Sequence, residues 1–195
     1  MIPRHFQIMI SLLLVAILMV GIYIIQLRRG EQQISQQNAV APAGPQPGGV
    51  FESIHILVAY DDDQALRWRD AQTFMPEDRS QRAKAVLRAV LEQYLQKPSP
   101  HPVGKDASIK DVYLIGNDTL LVDTSAAFAD QHPSGILLEE MTLASLIETL
   151  SANVPGITRV KFLVEGKERE TLAGHADLMS FYQVSAVHEL AKELE

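Results

Sequence analysis

From Phe51 onward the hydrophobic period changes from two residues to between three and four, and later does so a second time. "SIHILVAY" (53–60) is apolar and β-rich, and Asp61, Asp62 and Asp63 close it. In "ALRWRDAQTF" Leu66, Trp68 and Phe74 alternate against Arg67, Arg69 and Thr73. The two runs read as a hairpin with the acidic triplet at its turn, ended by Pro76. Ala83, Leu87, Val90, Leu91 and Tyr94 then recur at helical spacing. Glu77 and Asp78 precede them, where the partial positive charge of a helix N-terminus favours acids.

The second half echoes the first. "DVYLIGNDTLLVDTS" is a strand, a Gly116–Asn117–Asp118 turn and a second strand. A helix follows from about Ile136 to Asn153, with Leu143, Leu146, Ile147, Leu150 and Val154 as its stripe and Ser134 as N-cap. Pro155–Gly156 stop it, "ITRVKFLVEG" is a strand, and Gly166 makes the turn at its end. No helix follows Gly166 with G-x-x-x-x-G-K spacing, so neither glycine opens a phosphate loop. The expected fold is α+β: a β-β-α-β-β-α-β two-layer sandwich over residues 51–183 with a mixed or antiparallel sheet. Residues 184–195 are expected to be a short helical tail.

Ahead of this domain, Phe6 to Leu27 carries no charge and Ile8 to Ile25 is almost wholly apolar. As a helix that stretch rises roughly 30 Å, which matches a bilayer's hydrocarbon core. Residues 1–29 are therefore expected to be a single N-terminal transmembrane helix. A signal peptide is the alternative, but its apolar region is normally about 7–15 residues with a small-residue cleavage site close behind. Arg4 flanks one end and Arg28 and Arg29 the other, so the positive-inside rule nearly ties. Residues 30–50 are rich in Gln, Pro and Gly and read as a disordered tether.

Of the 17 Lys/Arg and 24 Asp/Glu, residues 1–30 hold three of the former and none of the latter, so the rest carries a net charge of −10. Such a surface argues against nucleic acid as a partner. The chain has no cysteine, which excludes disulfides, thiolate metal sites and a thiol nucleophile.

Candidate chemistry is sparse. Asp61–Asp63 lacks the spacing, glycine and distal Glu of a calcium loop and reads as a solvated turn. The six histidines show no i, i+3 or i, i+4 pair, and "HELAKELE" (188–195) has Lys192 where a zincin needs its second ligand. Ser125 and Ser134 have no nucleophile elbow. Asp123, His175 and a serine could meet as a triad, as many such trios could. His175 and Asp177 could share a strand face or bond the local backbone. Glu139 and Glu140 most simply complement the helix dipole. No catalytic, cofactor or metal residues are expected.

"VYLIGNDTLLVDTSAAF", "SGILLEEMTLASLIETL" and "VPGITRVKFLVEGK" with "LAGHADL" together resemble a GerMN domain, the module named for spore-germination proteins. Asp123, Phe128, Ser134, Glu140, Thr149, Leu150, Pro155, Gly156, Val160, Phe162, Val164 and Gly166 fit its pattern. Thr124 stands where leucine is usual, and Ser134–Gly135 reverses the commoner order. The strong part covers residues 110–178. The resemblance implies a fold like the ring-building motifs of secretion channels and an extracytoplasmic domain on a lipoprotein or single anchor, with the N-terminus inside. It implies a role in sporulation or envelope assembly and no established catalytic residues. The expected function is a non-catalytic, membrane-tethered module for protein–protein interaction or assembly, with envelope proteins or further copies as partners. The alternative is a binding module for peptidoglycan or another envelope polymer.

Overall fold

A computed structural model describes residues 49–195. Strands β1 (Gly49–Tyr60) and β2 (Ala65–Pro76) form one antiparallel hairpin in unbroken register from Tyr60↔Ala65 to Gly49↔Pro76. Helix α1 (Arg79–Leu95) follows, and the Asp78 carboxylate caps it by accepting the Gln81 amide at 2.9 Å. This satisfies one of the amides that every helix start leaves free. Strands β3 (Ile109–Ile115) and β4 (Thr119–Thr124) make a second hairpin. A short helix α2 (Ala126–Asp130) leads to the long helix α3 (Ile136–Asn153). Strand β5 (Arg159–Val164) then lies parallel to β4, β6 (Tyr182–Gln183) pairs antiparallel with β5, and helix α4 (Val184–Leu194) ends the chain.

Two expectations need correction. A single sheet was expected; the strands instead form a two-stranded sheet β1-β2 and a separate four-stranded mixed sheet β3-β4-β5-β6. The reason lies along the outer edge of β1, where helix side chains occupy the positions a neighbouring strand would take. Thr149 Oγ1 accepts the Leu57 amide at 2.8 Å, and the Tyr94 hydroxyl accepts that of Ala59 at 3.0 Å. Asn153 accepts the His55 amide at 3.3 Å and donates to the His55 carbonyl at 2.7 Å. Edge groups satisfied in this way offer no ladder to another strand. A transmembrane helix was also part of the expected fold; among the described residues no helix is long and apolar enough to cross a membrane. The anchor read at 1–29 and residues 30–48 of the tether read at 30–50 lie outside the described residues; the last two tether residues, Gly49 and Val50, instead begin β1.

Helix α3 is the centre of the domain. Every residue from Met141 to Leu150 is buried, polar ones included, so it has no solvated face along that stretch. A helix buried all round must satisfy its polar side chains internally, as Thr149 does with β1. The inner face of the larger sheet lines the core through Val112, Leu120, Val122, Val160 and Phe162. The Phe162 ring is fully buried and stacks on Phe128 at a centroid distance of 6.5 Å.

At the end of β5, Glu165 (φ 54°) and Gly166 (φ 71°) both adopt left-handed backbone. The flanking residues bond each other twice, Val164 N–H to the Lys167 carbonyl at 2.9 Å and Lys167 N–H to the Val164 carbonyl at 3.0 Å. Two such residues between a closed pair make a two-residue hairpin turn, which suits glycine at its second position. Asp123 accepts the Gly166 amide at 2.6 Å and holds the turn against the end of β4. Thr124 uses its hydroxyl to bond the Leu163 carbonyl across the parallel pair at 2.8 Å, which a leucine there could not do.

Candidate functional site

After Gly166 the chain runs to β6 with little regular structure, pinned by the fully buried Leu172 and Leu178. Between them the "LAGHAD" segment folds back over the start of α3. Ser134 was expected to cap that helix, but Gly135 is its N-cap and makes no side-chain cap bond. Glu139, in the first turn, takes over the job and extends it. Its fully buried carboxylate accepts the amides of Gly135 (3.2 Å), Ala173 (3.0 Å), His175 (3.0 Å) and Ala176 (2.9 Å). The His175 ring adds a fifth contact through Nδ1 at 2.9 Å. Burial alone would raise the Glu139 carboxyl; the bonds from the His175 ring and from the Ala176, Ala173 and His175 amides outweigh it and hold the group down to about 2. Glu139 thus does more than complement a dipole: it ties the loop to the helix.

Beside this knot a cleft of about 190 Å³ opens between α3, the loop and α4. Leu143, Ala144, Val187 and Leu190 supply apolar lining, with Glu140, His175, Asp177 and Tyr182 among its polar lining residues. The Tyr182 hydroxyl donates to the Asp177 carbonyl. Burial, then the Asp177, Glu140 and Glu139 carboxylates, push that hydroxyl up to about 12.

The suspected triad is not assembled. Asp123 bonds the Gly166 turn, while His175 bonds Glu139. Ser134 Oγ lies 3.5 Å from His175, on the same Nδ1 that Glu139 occupies. A relay needs hydroxyl and carboxylate on opposite ring nitrogens. Asp177 accepts the Met179 amide at 2.7 Å, a local backbone bond of the kind expected from its sequence position. The acidic triplet does form the β1–β2 turn, and Asp63 pairs there with Arg67 at 2.6 Å. Asp61 is different: it reaches back to the ring of His101, a contact across 40 residues that no local pattern signals. Among the described residues no group of three or more His, Asp or Glu could hold a metal ion.

A second surface lies on the other face of the larger sheet. The register places Tyr113, Leu121 and Lys161 in one row and Ile115, Thr119 and Arg159 in the next. Tyr113 and Ile115, on β3, are each 51% exposed, and Phe181, against β5 two strands away, is 43% exposed. Arg159 and Lys161 stand over the Phe181 ring at 5.8 and 5.4 Å, a cation–π arrangement that fixes the ring at the rim of this face.

The solved structures similar to the chain include the following three. A candidate lipoprotein from Clostridium perfringens shares 18% identity over 73% of this chain and 93% of its own, with a TM-score of 0.42. The tandem GerMN domains of the sporulation protein GerM from Bacillus subtilis share 13% over 74% of this chain, with a TM-score of 0.45; the match spans 49% of that chain. The first GerMN domain of the same protein shares 17% over 67% of this chain and 94% of its own, with a TM-score of 0.40. No curated protein matches the sequence. The family model Germane, described as sporulation and spore germination, matches residues 59–170, more than half of the chain. The chain belongs to that family.

Proposed function

We propose that this protein is a non-catalytic interaction module of the cell envelope, held at the membrane outside the cytoplasm, that docks a partner protein in sporulation- or germination-type assembly. The observation that carries the reading is the set of exposed apolar side chains on the outer sheet face, Tyr113 and Ile115 on β3 with Phe181 at the rim. Burying a large apolar side chain is worth roughly 1.5–3 kcal/mol, so three such residues on one face favour a protein partner. The net charge of −10 beyond residue 30 supports a partner other than nucleic acid. Membership of the family supports the biological setting, and the apolar, uncharged stretch 6–27 supports association with a membrane.

The test is affinity capture with the full-length protein, comparing wild type with a Tyr113→Arg, Ile115→Asp double variant. The expected result is loss of captured envelope proteins with an unchanged thermal melt. Capture of the same proteins by the folded variant would refute the reading, and loss of self-association alone would identify a second copy as the partner. Protease added to intact spheroplasts should remove the domain if it lies outside the cytoplasm. Trp68, 40% exposed on β2, supports a second reading, binding of an envelope polymer, which peptidoglycan pull-down with Trp68→Ala would test.

A further inference from the structure

Four side chains that this function leaves unused meet inside the domain: Asp61 at the end of β1, His101 before β3, His132 between α2 and α3, and Thr142 on α3. His101 is 1% exposed, His132 7%, and Thr142 is fully buried. One hydroxyl serves both rings. Nε2 of His101 lies 2.5 Å from Thr142 Oγ1 and Nε2 of His132 lies 2.7 Å from it. The other ring nitrogens face acceptors: Nδ1 of His101 meets the Asp61 carboxylate, and Nδ1 of His132 lies 2.7 Å from the Pro133 carbonyl. A carbonyl or carboxylate oxygen accepts, so both Nδ1 atoms hold hydrogens.

Two neutral imidazoles would then aim two Nε2 lone pairs at one oxygen that owns a single hydrogen. That hydrogen satisfies one ring and leaves the other facing an oxygen lone pair, unsatisfied and buried. One added proton removes the conflict, because one Nε2–H donates to Oγ1 while the hydroxyl donates to the other ring. A second added proton could also be accommodated by turning the hydroxyl to the Leu138 carbonyl, 3.0 Å away. It would place two cations with ring centroids 6.0 Å apart beside one carboxylate.

The surrounding charges choose between the rings. Asp61 faces His101 from the β1–β2 turn, and Tyr94 from α1 packs against it at 4.8 Å. His132 has Phe128 at 6.4 Å, with Glu139 of α3 and Asp61 acting on it electrostatically. Burial disfavours the cation at His132. We propose that Asp61, His101, Thr142 and His132 form a clasp that stores one proton beyond two neutral imidazoles, with the imidazolium on His101 and His132 as the neutral Nδ1–H tautomer. The clasp joins the tip of the first hairpin, the loop before β3 and the N-terminal half of α3, so their junction depends on that proton.

The experiment is NMR of the full-length chain with ¹⁵N-labelled histidine at neutral pH. The rings are assigned through their contacts to Tyr94 and Phe128. One-bond N–H couplings are expected at both nitrogens of His101 and only at Nδ1 of His132. In Thr142→Val, which removes the shared oxygen, His101 should lose its second coupling. A bare nitrogen on His101 in the unaltered chain, or two couplings on His132, would overturn the proposal. So would a folded Thr142→Val chain that keeps the doubly protonated His101; if that variant does not fold, the unaltered chain alone decides.

Discussion

Replacing Glu139 by glutamine removes a charge that four backbone amides and one imidazole were arranged to meet. The carboxyl falls from an ordinary 4.5 to about 2 on folding, which corresponds to about 3 kcal/mol of stabilisation of the charged form. Because folding lowers the value, that stability is complete above about pH 4.5 and is lost as the pH falls towards 2. Glutamine can still accept the three loop amides through its oxygen, but its NH₂ then points at Gly135 N–H and the His175 ring. The variant should therefore lose about 3 kcal/mol at pH 7, a drop in melting temperature of roughly 6–12 °C for a chain of this size. Glu139→Ala, which strands the loop amides as well, should lose more. Urea denaturation between pH 7 and pH 2 measures both quantities at once. Wild type should lose about 3 kcal/mol more than the glutamine variant between pH 5 and 2. A glutamine variant within about 1 kcal/mol of wild type at pH 7, or equal slopes in acid, would refute the argument.

His175→Ala removes one of the five donors to Glu139 and should cost about 1–2 kcal/mol while partner capture persists; a variant with a wild-type melt that no longer captures its partner would make His175 part of the working surface. Phe162→Ala should cost about 3–5 kcal/mol by denaturant melt, since the ring is fully buried against Phe128. Thr149→Val keeps the shape but leaves the Leu57 amide without its acceptor, for a loss of about 1–3 kcal/mol in the same assay. Burial holds His132 below its ordinary 6.5, so just below that pH the unfolded chain binds a proton that the fold refuses. Stability should fall as pH drops from about 6.5, and His132→Gln should flatten that slope in a pH series of melts.

Much of the local structure was legible in the residues. Apolar β-rich runs, alternation and turn residues marked β1 through β5, the helical stripe marked α1 and α3, and Pro155–Gly156 and Gly166 marked where elements stop, with left-handed backbone at both glycines. These features are local because side-chain periodicity and backbone φ depend on near neighbours in the chain. The separation into two sheets was not legible. It depends on Thr149 and Asn153 meeting Leu57 and His55 across 92 and 98 residues, and nothing in a hydroxyl or amide on a helix announces a strand edge as its partner.

The candidate site divides in the same way. Sequence alone placed Glu139 in the first turn of a helix and Asp61 in a turn, where each could have been a solvated acid. Tertiary structure buried Glu139 under the 173–176 loop and set Asp61 against His101. An acid's role is decided by which donors surround it once water is excluded, and those donors come from segments that only the folded chain brings together.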